Sequence, residues 1–281
     1  MTDSSSHTNQ GTGAAPTGRG RIEELFARVD HLTMHERVYG QIRDAFTSGL
    51  VLPGQRIVIR EFARSFGTSM MPVRDALRRL EAENALVATN GRNLAVPIMT
   101  ASDYQELCLI RVSLEGLAAG EAARNMSDAE IDEATSVANK MEDASDAQDT
   151  EATLQLNRKF HFCVYAGAHR PLLLKMIESL WLRVGPQLAY AVRHDIHGGD
   201  VVRSAYHPHR QVLAALRARD SGSASLAVAY DISRAGRIIV ERLKSGEAEK
   251  APVHRQRRRA AQEDTQIAKQ LNSAEEGSGS S

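Results

Sequence analysis

The chain holds two cysteines, Cys108 and Cys163, among its 281 residues. They stand far apart inside apolar helical patterns, which excludes a disulfide framework and a CxxC metal clamp and reads as two reduced core thiols. Long apolar runs are absent as well: nothing approaches the ~18 consecutive apolar residues that a spanning helix needs. The first twenty residues lack an apolar core behind basic residues, so no secretory signal is read there, and a cytoplasmic protein without a membrane partner is expected. Net charge is also missing, with 35 basic and 35 acidic side chains. That balance excludes a chain coated in nucleic acid along its whole length.

What remains is ordinary globular material, 42% apolar and 25% charged, long enough for one large or two modest domains. The zero average hides segregation. Between Met34 and Pro97 nine arginines meet six acids, whereas nine acids meet one lysine between Ser127 and Glu151. A basic module followed by a neutral or acidic one is implied.

Residues 1–30 are expected to be a disordered tail, Ser/Thr/Gly-rich over its first twenty residues. From Met34, Val38, Ile42, Ala45 and Phe46 recur at helical spacing and stop at Ser48-Gly49. Pro53-Gly54 marks a turn, a short helix covers Ile59–Phe66, and Gly67 is a natural residue to end it. Thr68 or Ser69 can cap a third helix with Pro72 in its first turn. That helix presents Val73, Ala76, Leu77 and Leu80 on one face and Arg74, Arg78 and Arg79 on the others. Two β-prone runs, Leu86–Thr89 and Leu94–Val96, flank Asn90-Gly91 as a hairpin would. Helix, short helix, turn, helix, hairpin is the layout of a winged helix-turn-helix over 31–98, able to place its third helix in a major groove. From 101 to 246 about six helices with short connections predict an antiparallel bundle, so the fold class is mainly α. Residues 247–281, including the basic run Arg255–Arg259, read as a flexible tail that solubilises or adds nonspecific DNA affinity.

The first module resembles the GntR family of bacterial transcription regulators. The resemblance rests on Gly49-Leu50, Pro53-Gly54, Glu61–Ala63, Phe66-Gly67 and, above all, the run Ser69–Glu83. It implies DNA contacts from Arg60, Ser69, Met70, Met71 and Arg74, with the wing residues Asn90, Gly91 and Arg92 at the minor groove, where Arg is favoured. Met70-Met71 departs from the family's Arg-Thr, replacing a basic contact with side chains suited to thymine methyls.

The helical half resembles the FCD (FadR-type) branch of that family, a bundle that dimerises and binds a small effector. Leu107, Ile110, Leu114, Leu117 and Ala118 form the stripe of its first helix, with Arg111 and Glu115 among them. The runs Asn157–Tyr165, Arg170–Leu174, Ile177–Trp181 and His207–Leu216 follow in family order. In metal-binding members an Asp and three His hold a divalent ion. Carried over by position, the set here is Asn157, His161, His209 and Asp231, two positions differing in residue type. Asn157 and His161 project from one helix face, and such ligands suit Zn, Mn or Ni. The alternative is a core histidine satisfied by Asn157. Arg111 beside an apolar stripe needs a partner: either an effector carboxylate held bidentately or Glu115 one turn on. Arg183 is a further candidate for the cavity, as are His161 and His209.

The expected protein is thus a homodimeric regulator, more readily a repressor, reading a palindromic operator in double-stranded DNA and sensing a small carboxylate. Two rivals are a metal-dependent enzyme in the bundle, for which no separate base stands at readable spacing, and a protein-docking module whose contacts would lack the salt dependence of phosphate binding.

Overall fold

The computed structural model describes residues 34–89, 93–193 and 200–245. The expectations for both tails and for Asn90, Gly91 and Arg92 fall outside these residues. Helix α1 spans Met34–Thr47, strand β1 Arg56–Ile57, α2 Ile59–Ser65, α3 Met70–Ala82, β2 Val87–Thr89 and β3 Asn93–Ala95. Six helices follow: α4 Ala101–Asn125, α5 Asp128–Asp146, α6 Thr150–Ala166, α7 Pro171–Arg193, α8 Asp200–Arg217 and α9 Ser221–Lys244.

Val38, Ile42 and Phe46 of α1 meet Val73, Leu77 and Leu80 of α3 in the first core. The hairpin gains a third strand that the sequence did not signal. β1 pairs antiparallel with β3, giving the order β1-β3-β2, with Arg56 opposite Ala95 and Ile57 opposite Leu94. Two residues are too few to show an alternation. Gly67 at φ 60° ends the turn after α2, as its missing Cβ permits.

In the bundle, side chains set the helix starts. Thr100 with Asp103 and Ser127 with Glu130 form reciprocal capping boxes on α4 and α5, and Asp149 and Asp220 cap α6 and α9. The second core gathers Ala118, Ala122, Phe160, Trp181, Leu216 and Val228 from five helices.

The expected stripe on α4 needs correction. Leu107 and Ala118 are buried and Leu114 partly so, but Ile110 and Leu117 are exposed, at 42% and 54%. The inward face is instead made of small residues, because α4 and α9 cross closely: a Cβ on Gly120 would stand 3.0 Å from Ser221 Oγ, and one on Gly236 2.7 Å from Cys108 Sγ. Large apolar residues are excluded from such a crossing and turn outward. Both cysteines are free and half-buried.

The two cores meet on α7. Leu182 is part of the first core, and the backbone of Gly185 lies so near α1 that a Cβ there would collide with the Phe46 carbonyl oxygen. Arg43 reaches Glu178 at 3.0 Å and Arg158 reaches Asp44 at 2.9 Å across the same seam.

Candidate functional site

At the exposed end of α3 the structure sorts the arginines. Arg79 bonds Glu83 at 3.2 Å and lies over the Tyr39 ring, and Arg78 stands 4.0 Å from Asp75. Arg60 and Arg74 are exposed and enter no ion pair among the described residues. Ser69 occupies the N-cap position of α3 with its side chain making no capping bond, so its hydroxyl and the first backbone N–H groups remain available to a phosphate. Met70 and Met71 are exposed in that first turn. The buried face carries Val73, Ala76, Leu77 and Leu80, which turns the rest of the helix to solvent. Unpaired cations around an open helix N-terminus are what a duplex needs from a reading head.

Inside the bundle, α4, α6, α8 and α9 bring a second group together. Arg111 and Glu115, one turn apart on α4, form a fully buried bidentate pair at 2.7 and 3.1 Å. Burial works against the Arg111 charge, and Glu115 more than restores it. The Glu115 partnership is therefore the one realised, and Arg111 does not present a free fork to an effector. Tyr165 Oη donates to Glu115 at 2.5 Å and stands 3.0 Å from His161 Nδ1. Burial, then the Glu115 charge, push its phenol well above the usual range.

This chain fixes the imidazole. Tyr165 spends its one proton on Glu115, so His161 Nδ1 is the donor to the phenol oxygen. Nε2 of the same ring faces Asp231 Oδ2, 3.3 Å away. A proton or a metal ion between Nε2 and the carboxylate joins the two. Asp231 is itself charged. Burial alone would raise its carboxyl, but His209 and His161 outweigh that and hold it well below the usual range. His209 Nε2 lies 3.7 Å from the same oxygen, beyond a hydrogen bond. Both its ring nitrogens are buried without a hydrogen-bond partner among the described residues, and burial lowers its pKa. The donor atoms of His161, His209 and Asp231 all lie within 4.8 Å of one another. Tetrahedral ligands about 2.1 Å from zinc stand roughly 3.4 Å apart, so the spacing and the orphaned imidazole fit a divalent ion. The phenol behind Nδ1 is the orienting partner that a metal-bound His ordinarily has.

A cavity opens beside this cluster, lined by Arg111, Asn157, His161, Trp181 and Asp231 at its polar part and by Leu154, Val184, Leu188, Val192, Ile232 and Ala235 elsewhere. Its volume is about 40 Å³. Asn157 lines it one turn before His161, whose ring nitrogens face Tyr165 and Asp231, so Asn157 is not what satisfies that histidine. Arg183 is misplaced in the sequence reading. It lines a shallow cleft with Pro97, Met99 and Gln187 on the side of α7 facing the first module, because it follows Trp181 on the opposite face. Trp181, read only as a family marker, is the wall residue missed; its indole N–H is buried without a hydrogen-bond partner among the described residues. Its helical offset from Val184 and Leu188 carried the signal.

A winged helix-turn-helix ahead of a six-helix bundle with a buried polar cluster defines a DNA-binding transcription regulator. The chain belongs to the bacterial regulatory proteins of the gntR family, whose model matches residues 34–96, and carries an FCD domain over residues 106–234. It is similar to the HTH-type transcriptional regulator McbR of Escherichia coli (strain K12), 30% identical over 193 residues, 69% of this chain and 86% of that protein. Its similarity to the uncharacterized HTH-type regulator YdhC of Bacillus subtilis (strain 168) is 32% over 147 residues, 50% of this chain and 64% of that one. Among solved structures, E. coli McbR/YncC superposes with a TM-score of 0.70 at 28% identity, covering 75% of this chain and 99% of that chain. These relatives are regulators, and this chain is a regulator and not an enzyme. No described helix is long and apolar enough to cross a membrane.

Proposed function

We propose that this regulator works as a homodimer on a palindromic operator, as a repressor, and that its bundle holds a divalent metal ion at His161, His209 and Asp231 to bind a small carboxylate. The observation that carries the metal is His209: a buried imidazole with no hydrogen-bond partner among the described residues, sharing a carboxylate with His161. A metal ion satisfies the nitrogen that faces Asp231, 3.7 Å from its Oδ2. Asn157 stands at the cavity edge as a neutral oxygen donor. Bound there, the ion supplies Lewis acidity toward an anionic oxygen, while Tyr165 and Glu115 orient His161.

Leu109, Ile110 and Leu117 of α4 and Leu226 and Tyr230 of α9 are exposed on two helices that pack along their length, an apolar surface suited to a second copy. Two copies put two reading helices on two half-sites. The cavity wall on α7 is continuous with the helix that supports α1, so an effector that prefers one disposition of α7 shifts the DNA-competent population.

Chelator-stripped protein titrated with Zn, Mn or Ni in a thermal-shift assay tests the site. The melting temperature should rise, by the equivalent of about 2.7 kcal/mol at a hundredfold excess over Kd. His209→Ala and Asp231→Asn should abolish that rise. An identical response in stripped wild type and His209→Ala would sink the site.

A further inference from the structure

The cavity has one polar end and long apolar walls. Trp181, Val184, Leu188 and Val192 step along α7 on one face, about 16 Å of axis at ~1.5 Å per residue. Leu154 of α6 and Ile232 and Ala235 of α9 continue the apolar lining. The polar end gathers Arg111, His161 and Asp231.

Its charges can be counted. Arg111 and Glu115 cancel as a bidentate pair, which leaves Asp231 as the uncompensated charge. A divalent ion at the histidines turns that to a single positive charge, and one carboxylate brings it to neutrality. A second carboxylate on the same ligand would lie against Leu154, Val184, Leu188, Val192 and Ile232. Arg111 is already paired, and no other cationic side chain among the described residues lines the cavity. An unpaired carboxylate in such surroundings is strongly disfavoured. Neutral oxygens are tolerated better, since the Trp181 N–H is buried and unpartnered among the described residues and Tyr104 and Thr153 are in the lining.

We infer that the effector is a small monocarboxylate with an apolar, hydrocarbon or aryl body, and that the α7 wall formed by Val184, Leu188 and Val192 rejects dicarboxylates. The inference rests on the divalent-ion reading above and adds the ligand's class to it. The limited open volume confines the body to a short chain or a single ring.

Trp181 is the chain's one tryptophan, so its fluorescence reports this cavity alone. The test first titrates stripped full-length protein with Mn²⁺, measured directly by calorimetry. The Mn²⁺-loaded protein is then titrated with butyrate against succinate and hexanoate against adipate, pairs matched in carbon number. At least one monoacid should change Trp181 fluorescence with an affinity at least about tenfold above its diacid partner, and only in the loaded protein. Equal or tighter binding of the diacid overturns the inference, and so does metal uptake without response to any of the four. If Mn²⁺ does not bind, the metal reading fails in the first step and the effector class falls with it. Leu188→Arg keeps the metal ligands and places a cation on the half-buried wall. It should narrow or reverse the preference within each pair while Mn²⁺ affinity stays at the wild-type value; unchanged selectivity would remove the wall from the account.

Discussion

Arg74 and Arg79 share one helix and one charge, yet their surroundings assign them different work. Arg79 is committed to Glu83 and to the face of Tyr39, so Arg79→Ala should lower stability and leave the DNA-bound contacts largely intact. Arg74 is exposed and unpaired, and Arg74→Ala should cost about 1–3 kcal/mol of operator affinity with little change in melting temperature. Fluorescence anisotropy on operator and random duplexes separates the two. If Arg60 meets phosphate, Arg60→Ala should weaken both duplexes alike and flatten the dependence of log K on log salt by about one. In the bundle, removing Glu115 strands a buried guanidinium. Glu115→Ala should destabilise by about 3–5 kcal/mol, read by calorimetry; a variant as stable as wild type would mean that Arg111 finds another anion.

At the scale of helices, the sequence carried boundaries well and faces unevenly. Caps such as Thr100, Ser127 and Asp220 are written as residue types where their helices begin. Asn84, Gln148 and His169 end their helices with positive φ without a glycine to announce it. The face of α4 was not legible, because periodicity rewards large apolar residues whereas the close crossing with α9 requires Gly116, Gly120 and small neighbours. In the candidate site, His161, His209 and Asp231 came from family order alone; no local spacing joins three helices. Arg111 and Glu115 were visible as neighbours on one helix. Arg183 was misread because adjacency to Trp181 says nothing about which side of α7 a residue takes. That helix has two occupied faces, and Gly185 is where it touches α1. Gly185→Ala should push α7 and α1 apart, lowering both melting temperature and operator affinity while direct Mn²⁺ binding persists. A variant that matches wild type in both would show that the contact yields without consequence.

Over the whole molecule, buried phenols set the alkaline limit. Burial and Glu83 push Tyr39 up to about 12, and Tyr104 and Tyr165 are raised too. Folding thus favours the neutral phenol over its unfolded form, which titrates near ~10. The stabilisation is complete below that pH and drains away as pH rises through the folded values. Denaturant unfolding between pH 9 and 12, values spanning about that window, should show a steep loss that Tyr39→Phe makes shallower. A second molecular property follows from Leu182. The segment that reads DNA is contiguous in sequence, but its core is finished by a side chain borrowed from the middle of α7. Cut at the connection before α4, the reading head would carry a hole where that isobutyl group belongs, and an apolar patch around it. Exchange of reading heads between regulators of this architecture is therefore not free recombination of independent parts: a transplanted head inherits a debt to its old sensor helix, and a new partner must present a side chain that fills the same gap.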